Sequence, residues 1–283
     1  MNKLFKFIKS KPIITLIILI LATNWITEFP LQDYLERFIG YQPALMISIT
    51  VLQMGCFAFL LYLAHKLNIS DSFNLNLKKP VKCLWLTIPF LVLVALNLTE
   101  MKLSYITEKP LVFFLYTLAF LSTGFFEEIL FRGIGFNLIY EKFGENRKSF
   151  YFSVILSSII FGASHITHLF DGTMPLLNFL DQSFYAAIIG VVFTAIYLRC
   201  KSLLIPILIH GIIDVTGDSE YLDIVSKSLY VKARVQPVVT PEHILRTLII
   251  FIPLLLWGLF LLRKAAPQRN KADKSSTLDT VNA

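Results

Sequence analysis

Long apolar runs alternate with short polar segments along the whole chain. Because a helix rises 1.5 Å per residue, roughly 20 apolar residues cross the hydrocarbon core of a bilayer. Eight runs approach or exceed this length, near 12–28, 42–64, 83–99, 111–139, 150–168, 184–198, 202–216 and 244–262. The pattern predicts an all-α, polytopic membrane protein with about eight transmembrane helices.

The composition agrees with a membrane protein. Hydrophobic residues make up 55% of the 283 residues, a larger fraction than a soluble domain needs to form its core. The mean hydropathy is +0.67. We predict one integral membrane domain over residues 1–264 and a polar, disordered cytoplasmic tail over 265–283. The first run follows a basic segment, as in a signal peptide, but Asn-Trp replaces a small-residue cleavage site, so we expect a retained helix.

The polar segments alternate in charge. With histidine counted as neutral, one set of alternate segments sums to +13 and the other to −5. The positive-inside rule then predicts that both termini are cytoplasmic. We expect the helices to lie in the cell membrane. This cytoplasmic excess accounts for the isoelectric point near 9.2, so no nucleic-acid partner is needed to explain it.

Five charged residues of the apolar runs lie outside the polar segments: Glu127, Glu128, Arg132, Asp214 and Arg246. Arg246 is close to a predicted helix end, where a long side chain can extend to the membrane surface. A charge at membrane depth costs at least a few kcal/mol, so the other four require partners or a function.

Helical geometry separates the two adjacent glutamates. Glu128 and Arg132 stand at positions i and i+4 and can form an ion pair. Glu127 is turned by about 100° from Glu128, away from that arginine. A poorly solvated carboxylate beside a like charge suits general-base chemistry. The alternative is that all three residues form a buried ion network that holds helices together.

Two later runs contribute histidines. The stretch "FGASH" places His165 one turn after Phe161, at a depth similar to the glutamates, and "HGIID" places His210 four residues before Asp214. Each has a simple structural explanation, as a hydrogen-bonded packing residue or a local His–Asp pair. An aspartate can also orient an imidazole, or both can bind a metal or a water. Together with Glu127, on three separate helices, these residues favour activation of a water, by the glutamate directly or by a bound zinc.

The three motifs resemble those of a known family. "EEILFR" fits EExxxR, "FGASH" fits FxxxH and "HGIID" fits HxxxN/D. Their order and spacing over residues 105–216 resemble the CPBP intramembrane proteases, which include the type II CAAX prenyl endopeptidases and bacteriocin-processing or self-immunity proteins. The resemblance implies an all-helical fold with a polar intramembrane cavity, and an endopeptidase that acts on a membrane-associated protein or peptide within the lipid bilayer.

The resemblance also implies roles for individual residues. By motif position, Glu127 is the expected water-activating base, with His165 and His210 as oxyanion or metal partners. The supporting residues are Glu128, Arg132, Phe161 and Asp214. The resemblance leaves open a zinc or other divalent metal on Glu127, His165, His210 and Asp214, and it implies no organic cofactor. Asp214 stands where the prenyl endopeptidases have asparagine, which disfavours an oxyanion role and favours metal binding or orientation of the histidine.

Other functions make different predictions. An ion-coupled transporter or proton relay also uses buried acidic and histidine residues, but it predicts inverted repeats, and the sequence has none. A non-catalytic scaffold or immunity protein would not need every catalytic position to be filled. The chain also lacks an HExxH motif, and Ser164 lacks the following glycine of rhomboid-like sites.

Overall fold

Helices form at all eight apolar runs of the sequence. The structure, a computed structural model, describes residues 3–70, 75, 80–144, 146–170 and 174–267. The predicted polar tail lies outside these residues from position 268 onward. No strand occurs within the described ranges, and the predicted all-α class is confirmed.

The helices follow one another with short connections. The first seven are α1 Lys3–Ser10, α2 Pro12–Thr27, α3 Leu31–Ile39, α4 Tyr41–Lys66, α5 Ile88–Glu100, α6 Tyr105–Glu108 and α7 Pro110–Glu128. The remaining ones are α8 Asn137–Phe143, α9 Arg147–Ala163, α10 Thr167–Phe170, α11 Leu176–Cys200, α12 Leu204–Gly217, α13 Lys227–Arg234 and α14 Pro241–Ala265. A π-helix, Ile129–Phe136, joins α7 to α8, and 3-10 helices occupy Pro80–Thr87, Ser164–Ile166 and Ser219–Asp223.

Seven segments are long and apolar enough to cross a membrane. They are Pro12–Ile39, Tyr41–Lys66, Cys83–Glu100, Pro110–Phe143, Arg147–Ile166, Leu176–Cys200 and Pro241–Ala265. The predicted span at 202–216 is the apolar helix α12, which has only 14 residues, or about 21 Å of helix. The chain is therefore a multi-pass membrane protein in which one of the eight predicted helices is too short to cross the full hydrocarbon core alone.

Local sequence signals set several helix ends. The side chain of Asn146 accepts a hydrogen bond from the Ser149 amide and caps the start of α9. Thr240 caps α14 in the same way, and Pro241 occupies the first helical position, where its missing N–H costs nothing. Gly144, at φ +92°, ends α8 in a backbone conformation that residues other than glycine rarely adopt.

Helix α11 forms the centre of the bundle, where it packs against α9 and α14. Of its most apolar 18-residue window, 61% is buried, against 17–39% for the other spans. Gly162 of α9 makes one of these close contacts, because a Cβ there would collide with the backbone oxygen of Ser183 in α11. The outer helices keep large apolar side chains exposed, as lipid contact requires.

Polar contacts define two ends of the bundle. At one end, which we call the terminal end, Lys9 before α2 pairs with Glu141 of α8 at 2.8 Å. At the opposite end, the loop end, the Gln42 side chain donates to the backbone oxygen of Leu222 at 2.7 Å. Helices α11 and α14 both begin at the loop end.

The loop between α12 and α14 contains a short helix and an extended segment. Helix α13 is followed by the extended segment, residues 235–240, whose end residues Val235 and Thr240 have β-region backbone dihedrals. The hydroxyl of Ser226 accepts a hydrogen bond from the Leu229 amide and caps the start of α13.

Candidate active site

The predicted ion pair is present at the centre of the site. Arg132 Nη1 lies 2.8 Å from Glu128 Oε1, and the two side chains are 2% and 0% exposed. The guanidinium carbon lies 4.3 Å from the centre of the Phe161 ring and 5.4 Å from that of Phe193, so aromatic rings cover the cation. The pair is sealed from solvent by protein.

The same carboxylate holds a histidine from another helix. Glu128 Oε1 lies 2.8 Å from His210 Nδ1, across 82 positions of sequence. This hydrogen bond sets the orientation of the imidazole. The sequence suggested Asp214 for that task, but Asp214 Oδ2 lies 3.5 Å from the other ring nitrogen, Nε2. Phe193, whose ring centre lies 5.5 Å from that of His210, was also not predicted, since it belongs to no motif.

A π-helix follows the glutamates, where the sequence predicted a regular α-helix. Its wider turns leave backbone carbonyls without their usual α-helical partners. The Asn137 side chain donates to the backbone oxygens of Arg132 at 3.0 Å and Gly133 at 2.9 Å, and to the Tyr197 hydroxyl at 3.1 Å. Asn137 therefore supports the segment that carries the buried arginine.

Two glycines allow α7 and α12 to approach closely. A Cβ at Gly124 would lie 2.5 Å from the backbone oxygen of Ile207, and one at Gly211 would lie 3.0 Å from the Cα of Leu121. This crossing brings Glu128 within hydrogen-bond distance of His210. The two glycines therefore help to assemble the site from separate helices.

The Glu127 side chain faces a cavity, unlike Glu128, which lies in the sealed pair with Arg132. The cavity measures about 760 Å³, and its wall includes Glu127, His165, His210 and Asp214. The Glu127 side chain is 22% exposed, and its Oε2 lies 3.7 Å from His210 Nε2. His210 Nε2 thus lies between two carboxylates on this wall, those of Glu127 and Asp214.

His165 reaches the cavity from a different local structure than expected. The sequence placed it on a continuous helix, but α9 ends at Ala163 and His165 lies in the 3-10 turn Ser164–Ile166. Its Nδ1 lies 3.3 Å from the backbone oxygen of Gly162. The Phe161 ring packs edge-on against both imidazoles, with ring centres 5.8 Å from His165 and 6.1 Å from His210.

The four residues considered as metal ligands share the cavity wall without forming a ligand set. Within the described part of the chain, no group of three or more His, Cys, Asp or Glu side chains is placed to hold a metal ion. The contacts of His210 are to carboxylates: Nδ1 to Glu128, and Nε2 near Glu127 and Asp214.

Comparison with known families adds an independent observation. Residues 109–216 match the family model described as type II CAAX prenyl endopeptidase Rce1-like. The resemblance inferred from the motifs is confirmed. The matched segment contains all seven predicted site residues and supports protease activity of the CAAX type in general. No curated protein and no solved structure matches the chain.

Proposed function

We propose that this protein is an intramembrane endopeptidase that hydrolyses a peptide bond in a membrane-associated protein or peptide, using water activated by Glu127. The observation that carries this proposal is the shared cavity wall of Glu127, His165, His210 and Asp214. Of the two adjacent glutamates, Glu128 is already engaged by Arg132 and His210, and Glu127 is the one that is open to a water.

Glu127 acts as the general base. A water in the cavity transfers a proton to the Glu127 carboxylate as its oxygen attacks the carbonyl carbon of the scissile bond. The carbonyl oxygen then carries the negative charge of the tetrahedral intermediate. When the intermediate collapses, the C–N bond breaks and Glu127 returns its proton to the leaving amine, so that protons balance over the cycle.

The histidines stabilise the oxyanion. Glu128 holds the His210 ring at Nδ1, and Nε2 is the nitrogen near the cavity carboxylates. With a proton on Nε2, His210 donates to the developing oxyanion, and His165 provides a second donor from the other wall. Asp214, as an acceptor beside Nε2, favours the protonated nitrogen and cannot itself donate when ionised. Asp214 therefore supports His210, whereas an asparagine at this position could itself donate a hydrogen bond to the oxyanion.

The cavity mouth faces outside in the topology that we propose. Residues of the loop end, among them Asp218, Tyr221 and His243, line the cavity. The charge asymmetry of +13 against −5 favours cytoplasmic termini, which places the loop end on the external side. The substrate bond would then be cleaved near the outer surface of the cell membrane.

A cleavage assay with purified protein in lipid nanodiscs tests the function. We expect a library of fluorogenic peptides to contain cleaved members, with products located by mass spectrometry and no cleavage by a Glu127→Gln control. Metal analysis of the same sample and a parallel assay with chelator test metal dependence separately. Proton flux in proteoliposomes without any cleavage would instead support a proton relay and contradict the proposal.

A further inference from the structure

A second cavity adjoins the one that contains Glu127. It measures about 750 Å³ and lies at the loop end, between the start of α11, the start of α14 and the extended segment 235–240. Gln182, Tyr185, His243 and Arg246 line both cavities. The two cavities therefore adjoin at these four residues, which lie on the side of the second cavity that is nearest to Glu127.

The extended segment is held along one edge only. The Asn178 side chain donates to the Pro237 backbone oxygen at 2.8 Å and accepts from the Val239 amide at 3.0 Å. Asn178 thus occupies the place of a neighbouring strand for residues 237 and 239. Gln236 precedes a proline, which further restricts this stretch to extended conformations.

The other edge of the segment is unpaired. In an extended chain, the N–H and C=O groups of successive residues point to opposite edges. The amide and carbonyl of Val238 therefore point away from Asn178, and neither has a hydrogen-bond partner among the described residues. An unpaired strand edge is a template for main-chain pairing with another extended chain.

The geometry points to segment 235–240 as a docking edge for the substrate. An extended stretch of the protein substrate pairs with Val238 through main-chain hydrogen bonds, as an added strand, and its continuation passes Gln182 and Tyr185 toward Glu127. The side chains of Val235 and Val238, 59% and 60% exposed, contact apolar substrate side chains. This inference rests on the proposed function. It makes recognition depend on an extended substrate backbone more than on sequence.

Binding can be measured without hydrolysis. The probe is a fluorescein-labelled peptide of alternating threonine and valine with a lysine at each end, and the readout is fluorescence anisotropy with protein in nanodiscs. Val238→Pro removes the free amide and should weaken binding roughly five- to tenfold, the value of one net hydrogen bond. The matched control, Val238→Thr, keeps the amide and a branched side chain, and should bind as the wild type does.

A modified peptide provides a test that does not depend on the folding of a variant. Methylation of the amides on one edge of the peptide should weaken its binding to wild-type protein more than methylation on the other edge. Equal binding by wild type and Val238→Pro, equal effects of the two methylated peptides, or absence of wild-type binding would overturn the docking edge. So would a self-association of the protein that Val238→Pro abolishes.

The same measurements separate this inference from the proposed function. Edge-dependent peptide binding with no cleavage of any library member would contradict the protease and leave the docking edge standing. Cleavage with an unchanged KM in Val238→Pro would contradict only the docking edge. If the protease function and the docking edge are both correct, Val238→Pro should raise KM with little change in kcat, because the edge binds substrate away from the reacting bond.

Discussion

Two adjacent glutamates occupy different regions of the molecule. Glu128 lies in a cluster with Arg132 and His210 that is sealed except where His210 borders the cavity, and the Glu128 side chain is 0% exposed. Glu127, one residue earlier, lies on the wall of the cavity with its side chain 22% exposed. A rotation of about 100° around one helix is enough to give identical side chains different surroundings.

These different surroundings suit different roles: a structural role for Glu128 and the proposed catalytic role for Glu127. In the sealed cluster every charge has a partner, and removal of one partner leaves a buried charge uncompensated. On the cavity wall, a lost carboxylate can be replaced by an amide of the same shape without exposing an unpaired charge. We therefore expect changes in the cluster to affect both stability and activity, and changes on the wall to affect activity alone.

After Glu127, the two histidines should show the largest effects on activity. His165→Ala and His210→Ala should each reduce cleavage by roughly 10²-fold or more, because each removes a proposed donor to the oxyanion. Only His210→Ala should also lower the unfolding temperature, since it removes a hydrogen-bond partner of the buried Glu128. Turnover and thermal unfolding in nanodiscs measure both effects. Full activity in either variant would show that this histidine is not part of the active site. Equal losses of stability in the two variants would contradict the contrast between cluster and cavity wall.

The buried arginine should have the next largest effect, on stability. Arg132→Met leaves Glu128 without its cation and should cost about 3–5 kcal/mol of unfolding free energy. Adding Glu128→Gln removes the uncompensated charge and should recover part of that loss, while Gln can still accept from His210. Denaturant unfolding of the single and double variants measures the recovery. A double variant no more stable than Arg132→Met would show that the charge is not the cause.

The helix crossing should give a smaller effect. Gly124→Ala places a methyl group against the backbone oxygen of Ile207 and should destabilise the protein by about 1–3 kcal/mol, with reduced turnover as Glu127 moves from His210. Gly55→Ala is the matched control, because its added methyl group would have no atom within 4 Å, and it should leave stability and turnover unchanged. If both variants behave alike, the close crossing does not position the site.

The smallest effect should come from an exposed cluster at the loop end. Asp223 accepts a hydrogen bond from the Tyr105 hydroxyl and lies 3.0 Å from Lys102 Nζ, contacts that hold the pKa of Asp223 below its usual value. A depressed pKa stabilises the folded state above the unfolded pKa of about 4, and this stability is lost as the pH falls below it. Asp223→Asn should lower the unfolding temperature slightly near neutral pH, less than any change above. The difference from wild type should shrink in acid, and a difference that grows there would be inconsistent with this sign.

The helices could be predicted because each depends on local sequence. The runs near 42–64 and 244–262 became α4 and α14 with ends within a few residues of expectation, since length and hydropathy alone define a span. The Glu128–Arg132 pair could be predicted for the same reason, because positions i and i+4 of a helix adjoin.

Other features of the site depend on contacts that sequence spacing does not encode. The Glu128–His210 hydrogen bond joins residues 82 positions apart. The π-helix after Glu128 depends on Asn137 and on packing against neighbouring helices, and no residue pattern in "ILFRGIGF" distinguishes it from an α-helix. The placement of His165 in a 3-10 turn shifts its ring relative to a continuous helix, which propensity alone did not indicate.

A side-by-side measurement of Glu127→Gln and Glu128→Gln tests the division between wall and cluster most directly. Turnover of a cleaved peptide and unfolding free energy would be measured for both variants in the same nanodiscs. Glu127→Gln should lower turnover by roughly 10²–10⁴-fold, the range for loss of a general base, with unchanged stability. Glu128→Gln should lower stability by about 3–5 kcal/mol as well as activity, because Arg132 is left unpaired. Normal turnover in Glu127→Gln, or two variants that match in both stability and rate, would contradict the account.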